Sequence, residues 1–106
     1  MAMYNGSEGE EVSLKEAAAW TRNYRSQQAD KAATVKAHFF GQEILQKILS
    51  QEKCVGMRMY YGLDGTGGKQ LILVGVDADG NDLEDGVIAD RSKVCPPDCV
   101  ESALSN

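Results

Sequence analysis

The run Val55-Gly56-Met57-Arg58-Met59-Tyr60-Tyr61-Gly62 decides how this chain is read. Val55, Met57, Met59 and Tyr61 alternate with Gly56, Arg58, Tyr60 and Gly62. A period of two is a β-strand, because successive side chains point to opposite faces. Asp64-Gly65-Thr66-Gly67-Gly68 follows as a glycine-rich turn. Lys69 to Val76 is a second strand, and its nearly continuous apolar run suits a central position covered on both faces. Asp77-Ala78-Asp79-Gly80-Asn81-Asp82 is a second turn, with Asp79-Gly80 as its hairpin signal. A short third strand is expected near Gly86 to Ala89. Cys95-Pro96-Pro97-Asp98-Cys99 then ends regular structure, since proline cannot donate to a ladder.

Upstream of the strands the period lengthens. Ser13-Leu14-Lys15-Glu16 has the pattern of a capping box and opens a helix expected over Leu14 to Gln27. Leu14, Ala17, Ala18, Thr21 and Tyr24 share one face of it, with Trp20 beside them. Residues 28–34 form a weakly patterned link. A second helix is expected over Lys36 to Gln51, with Ala37, Phe40, Gly41, Ile44, Leu45 and Ile48 as its apolar stripe. Gly41 inside that helix would cost about 1 kcal/mol against alanine and points to a close packing contact. Helices followed by strands joined through tight turns indicate the α+β class: two N-terminal helices packed on one face of a three-stranded antiparallel β-meander. Residues 1–12 and 100–106 are expected to be flexible tails around one domain spanning 13–99.

Composition narrows the function classes. A chain of 106 residues with 42% hydrophobic and 25% charged residues is neither fibrous, collagen-like nor wholly disordered. A net charge of −5 argues against a nucleic-acid partner. The longest apolar stretch, Leu71 to Val76, is far too short to span a bilayer. The first residues carry no basic start and no apolar core of a secretory signal, and three cysteines fit a reducing compartment, so a cytoplasmic location is expected. Charge is unevenly spread. Lys15 to Lys53 carries seven basic residues against four acids, whereas Gln70 to Asp90 carries six acids and no base. Turn chemistry accounts for much of this, since aspartate favours turns; complementarity with a partner is the sharper reading.

Chemistry-bearing candidates are few. The 77–82 turn resembles a calcium loop superficially, but the sixth and twelfth positions are Asp82 and Ile88 where glycine and glutamate are required. Gly65-Thr66-Gly67-Gly68-Lys69 lacks the strand–loop–helix context of a phosphate cradle. His38 is the chain's single histidine, so a small-ligand binder or enzyme would place its acid–base chemistry there. Cys54, Cys95, Cys99 and His38 together make a Cys3His set of the kind zinc accepts, although they come from three segments and lack knuckle spacing. A local Cys95–Cys99 disulfide is the competing reading, and it would close only a small loop. Arg58 and Tyr60 share the strand face opposite Met57 and Met59 and are the interface candidates, because a sheet covered on one side needs cover on the other.

Several segments resemble a group of small uncharacterised bacterial proteins: Ala37-His38-Phe39-Phe40-Gly41, Tyr60-Tyr61-Gly62-Leu63-Asp64, Leu73-Val74-Gly75-Val76-Asp77 with Gly80-Asn81-Asp82, and Cys95-Pro96-Pro97-Asp98-Cys99. The resemblance spans about Ser13 to Cys99. It implies a small soluble bacterial protein with a recurring Cys-Pro-Pro-x-Cys tail, and it brings no activity, cofactor or catalytic residue.

No catalytic constellation is visible. The expected function is therefore a non-enzymatic interaction or scaffold protein acting as a homodimer, with another protein as the further possible partner and no cofactor required. A metal- or redox-linked module built on Cys95 and Cys99 is the alternative.

Overall fold

A computed structural model describes residues 3–29 and 34–105. The element order is α1 (Leu14–Ser26), β1 (Ala37–Phe39), α2 (Gln42–Leu49), β2 (Gly56–Leu63), β3 (Lys69–Val76), β4 (Ile88–Ala89) and β5 (Lys93–Cys95). The fold is mixed α+β, with two antiparallel sheets. β2, β3 and β4 form a three-stranded meander, and β1 pairs with β5. The chain divides into two compact units, each assembled from two stretches of sequence: Met1–Gly9 with Phe40–Ser92, and Glu10–Phe39 with Lys93–Asn106.

In the first unit β2 and β3 run side by side for their full length, from Gly56 opposite Val76 to Leu63 opposite Lys69. β4 continues the sheet with Leu73 opposite Ala89 and Val74 opposite Ile88. Helix α2 lies on the face that carries Met57, Leu71, Leu73 and Ala89. Ile48 and Leu73 are completely buried there, ringed by Phe40, Ile44, Leu45, Met57, Leu71 and Val87. Burying side chains of this size contributes on the order of 1.5–3 kcal/mol each. Gln51, just past the helix end, joins the layers: its Nε2 donates to the Ile48 carbonyl at 2.9 Å and its Oε1 accepts from the Val87 amide at 2.8 Å.

The opposite sheet face is partly covered by the chain's own start. The Met3 and Tyr4 amides both donate to the Ala78 carbonyl at 2.9 Å. Residues 3–9, expected to be a loose tail, thus belong to this unit. Gly80 takes a φ of +88°, and a β-carbon there would run into the Tyr4 ring. The turn before it is set by Asp77, whose Oδ1 accepts from the Asp79 and Asn81 amides at 3.0 and 2.9 Å. Such side-chain-to-backbone bonds are why aspartate opens turns.

In the second unit α1 begins as the sequence indicates. Ser13 is its N-cap, with Oγ accepting from the Glu16 amide at 3.0 Å. Ala18 is the buried residue of this helix, while Leu14, Trp20 and Tyr24 remain exposed. The C-terminal stretch is tied back within the unit. Arg25 Nη1 donates to the Leu104 carbonyl at 2.7 Å, and Lys36 Nζ to that of Ser105 at 2.9 Å.

Two further expectations change. The second helix does not start at Lys36: residues 37–39 form β1, and α2 covers Gln42–Leu49. Strand β1 finds its partner more than fifty residues away in β5, with Ala37 opposite Cys95 and Phe39 opposite Lys93, and no local periodicity reports such a pairing. Gly41 is the N-cap of α2, with extended φ and ψ of −69° and 156°, rather than a residue inside the helix. Helix α2 packs on the three-stranded sheet.

Candidate functional site

The richest polar arrangement is on β2, on the face away from α2. Strand alternation puts Arg58 and Tyr60 there together. Asp82, brought alongside by the 77–82 turn, receives both. Arg58 Nη1 lies 2.6 Å from Asp82 Oδ1, and Tyr60 Oη donates to Asp82 Oδ2 at 2.6 Å. The same Nη1 donates to the Gly80 carbonyl at 3.1 Å, and the guanidinium sits 5.5 Å from the centroid of the Tyr4 ring. Both ionic side chains are about three-quarters covered, at 29% and 24% exposure. Hydrogen bonding from Tyr60, then from Arg58, holds the Asp82 carboxyl below its ordinary range. The bond to Asp82 pushes the Tyr60 hydroxyl up, and Asp82 raises Arg58 further.

This network spends its charges internally. Arg58 is committed to Asp82, Gly80 and Tyr4, so it is less a docking group than a clamp fixing the turn to the strand. Tyr60 keeps 46% of its surface exposed.

The apolar surface of β2 lies on the other face. On that face Met59, Tyr61 and Leu63 are exposed at 56%, 95% and 72%. β2 is also an edge of its sheet, since the order is β2-β3-β4. Among the described residues no backbone group outside β3 bonds to the β2 backbone. Among the usual guards against edge pairing, Gly56–Leu63 has no lysine and no proline, and its one charge, Arg58, is paired with Asp82. Alternation in the sequence identified the strand, but its edge position follows from sheet order, which only the structure gives.

The remaining candidates divide between the two units. Cys54 belongs to the first unit, where its Sγ donates to the Gly56 carbonyl at 3.1 Å. His38 lies in β1 opposite Val94, half-buried, in the second unit. Cys95 and Cys99 are joined by a disulfide, so neither offers a thiolate to zinc in this state. Among the described residues no group of three or more histidine, cysteine or acidic side chains is arranged to hold a metal. An open cleft of about 410 Å³ lies between Gln51 and residues 82–86, and its polar lining is acidic: Glu52, Asp82, Glu84 and Asp85. The glycine-rich 64–68 turn is organised around Asp64. Its Oδ1 accepts from the Thr66 amide at 2.9 Å, the Thr66 hydroxyl at 2.7 Å and the Gly68 amide at 2.8 Å. Those bonds lower the Asp64 carboxyl to about 2. A carboxylate filling this turn leaves no anion cradle.

No helix among the described residues is long and apolar enough to cross a membrane. Compared with known proteins, the chain matches no family model, no curated protein and no solved structure.

Proposed function

We propose that this chain is a non-enzymatic interaction module that acts as a homodimer. The observation that carries the reading is β2: an unguarded sheet edge of eight residues whose Met59, Tyr61 and Leu63 side chains stand in solvent. Unpaired strand edges with apolar side chains associate with other strands unless something blocks them. The polar groups on the sheet's other face hold the monomer together and form no nucleophile–base pair. Sedimentation equilibrium over a range of concentrations tests the reading. A mass of twice 11.5 kDa is expected, and a monomer at every concentration would overturn it.

A redox-linked role is the second reading, and the Cys95–Cys99 disulfide favours it. Cys95 is buried and Cys99 exposed. A small thiolate would attack the Cys99 sulfur, forming a mixed disulfide there as the S–S bond breaks and Cys95 leaves as the thiolate; a second small thiolate would attack the small-molecule sulfur of that mixed disulfide, forming the oxidised small-molecule disulfide and releasing Cys99 as the thiolate. Trapping free thiols after equilibration in glutathione buffers tests this. Reversible exchange in the folded protein supports it, and a bond that opens only after denaturation removes it.

A further inference from the structure

We infer that the two copies join through β2 itself, antiparallel, about a two-fold axis at Tyr60, to make one continuous six-stranded sheet. The inference rests on the homodimer reading and gives it an interface and a register.

The backbone fixes which groups are available. The Asp64 amide donates to the Gly68 carbonyl at 2.9 Å, next to the facing pair Leu63 and Lys69. In an antiparallel ladder, bonded and non-bonded pairs alternate. Gly62, Tyr60, Arg58 and Gly56 therefore bond inward to β3. The N–H and C=O groups of Met57, Met59, Tyr61 and Leu63 point outward, to the open edge.

A second copy matches that edge. With the axis at Tyr60, Met57 faces Leu63 of the other copy and Met59 faces its Tyr61, and the reverse pairs follow by symmetry. Every outward residue then has an outward residue opposite it, and each pair exchanges two hydrogen bonds. Moving the axis to Met59 or Tyr61 leaves one outward residue of each copy without a partner inside the strand. Charge agrees with the Tyr60 axis. Arg58, the one charged residue of β2, comes opposite Gly62 of the other copy, so no like charges face each other.

Side chains agree as well. Antiparallel pairing about an axis through the sheet keeps the α2 face of both copies on the same side. Met59, Tyr61 and Leu63 of each copy then form one apolar strip, with Met59 beside the Tyr61 ring of its neighbour. Methionine sulfur against an aromatic ring is a favourable contact. The residues exposed in the monomer are the ones this pairing covers.

The test is site-directed disulfide trapping in the 106-residue chain carrying Cys54→Ser, which removes the free thiol. Tyr60→Cys places two thiols opposite each other across the axis, in a non-hydrogen-bonded pair whose spacing a disulfide can bridge. Met59→Cys and Tyr61→Cys serve as register controls. Oxidation should yield covalent dimer from Tyr60→Cys at least tenfold faster than from either control. Because Tyr60→Cys also removes the bond to Asp82, a second variant leaves that network intact: Tyr61→Lys guards the edge at a side chain that is 95% exposed. Its dimer dissociation constant should rise at least tenfold with an unchanged circular dichroism spectrum. A dimer that cross-links faster at 59 or 61, or that tolerates Tyr61→Lys, would overturn this interface and leave the homodimer reading standing. A wild-type monomer would overturn both.

Discussion

Arg58 and Asp82 are 24 residues apart in sequence and 2.6 Å apart in space. The pair fastens the acidic 77–82 turn to the middle of β2. Tyr60 shares the same carboxylate from the next inward-bonding position of the strand. Asp82→Ala should therefore lose more stability than either Arg58→Met or Tyr60→Phe alone. Asp82→Asn, which keeps an acceptor for Tyr60 but drops the ion pair, should fall between Asp82→Ala and wild type. Urea denaturation of the four variants gives the order.

Acid should weaken the first unit through two carboxylates. Asp64 ionises at about 2 in the folded chain, against 3.8 for a free side chain, because three donors meet its Oδ1. Asp82 is shifted in the same direction. A folded value below the unfolded one means the native state holds fewer protons, so stability rises with pH across the interval. The contribution is complete above roughly pH 5 and disappears as pH falls towards 2. Melting temperatures from pH 6 to 2 should fall less steeply in Asp64→Asn than in wild type. Tyr60 works in the opposite direction: its folded value is raised, so its contribution is complete below the free-tyrosine range near 10 and is lost above it.

Gly80→Ala should destabilise the chain by at least about 1–2 kcal/mol from backbone conformation alone, because its φ is +88°. The added methyl also meets the Tyr4 ring. Tyr4→Ala should relieve the second part and not the first. The double variant would then be more stable than the sum of the single changes implies, which denaturant titration of the three proteins measures.

Leu73→Ala should cost about 2–5 kcal/mol, since the side chain is completely buried between α2 and the sheet. Tyr61→Ala, on the same strand face but almost fully exposed, should change monomer stability by no more than about 0.5 kcal/mol. Chemical denaturation at low protein concentration separates the two.

The strands were legible because their signals are local. Alternation from Met57 to Tyr61, the apolar run to Val76 and the Asp79-Gly80 turn each mark one element without help from elsewhere in the chain. The first helix announced itself through Ser13. β1 was illegible for the opposite reason: Ala37-His38-Phe39 continues a helical stripe into Ile44 and Ile48, and its extended form is decided by pairing with Lys93–Cys95. Arg58 and Tyr60 were legible as neighbours on one face. Their shared partner Asp82 was not, because it reaches them through the conformation of a turn. The exposed edge residues were equally hidden: Met59 and Tyr61 have the same pattern as Met57, and nothing local in the sequence says that their partners Leu73 and Leu71 on β3 take the covered place.

The division of the chain carries a further consequence. Each compact unit draws on both an early and a late stretch, and the stretches interleave: first, second, first, second. Neither unit corresponds to a contiguous gene fragment that could be excised, fused or exchanged at a single crossover. Ribosomal synthesis meets the same order. Tyr4 emerges long before the Gly80 turn against which its ring rests, and α1 is made long before Leu104, whose carbonyl Arg25 binds. Completion of either unit therefore waits for its late stretch to be made, and a stop codon anywhere before the final strand leaves the second unit without its closing half.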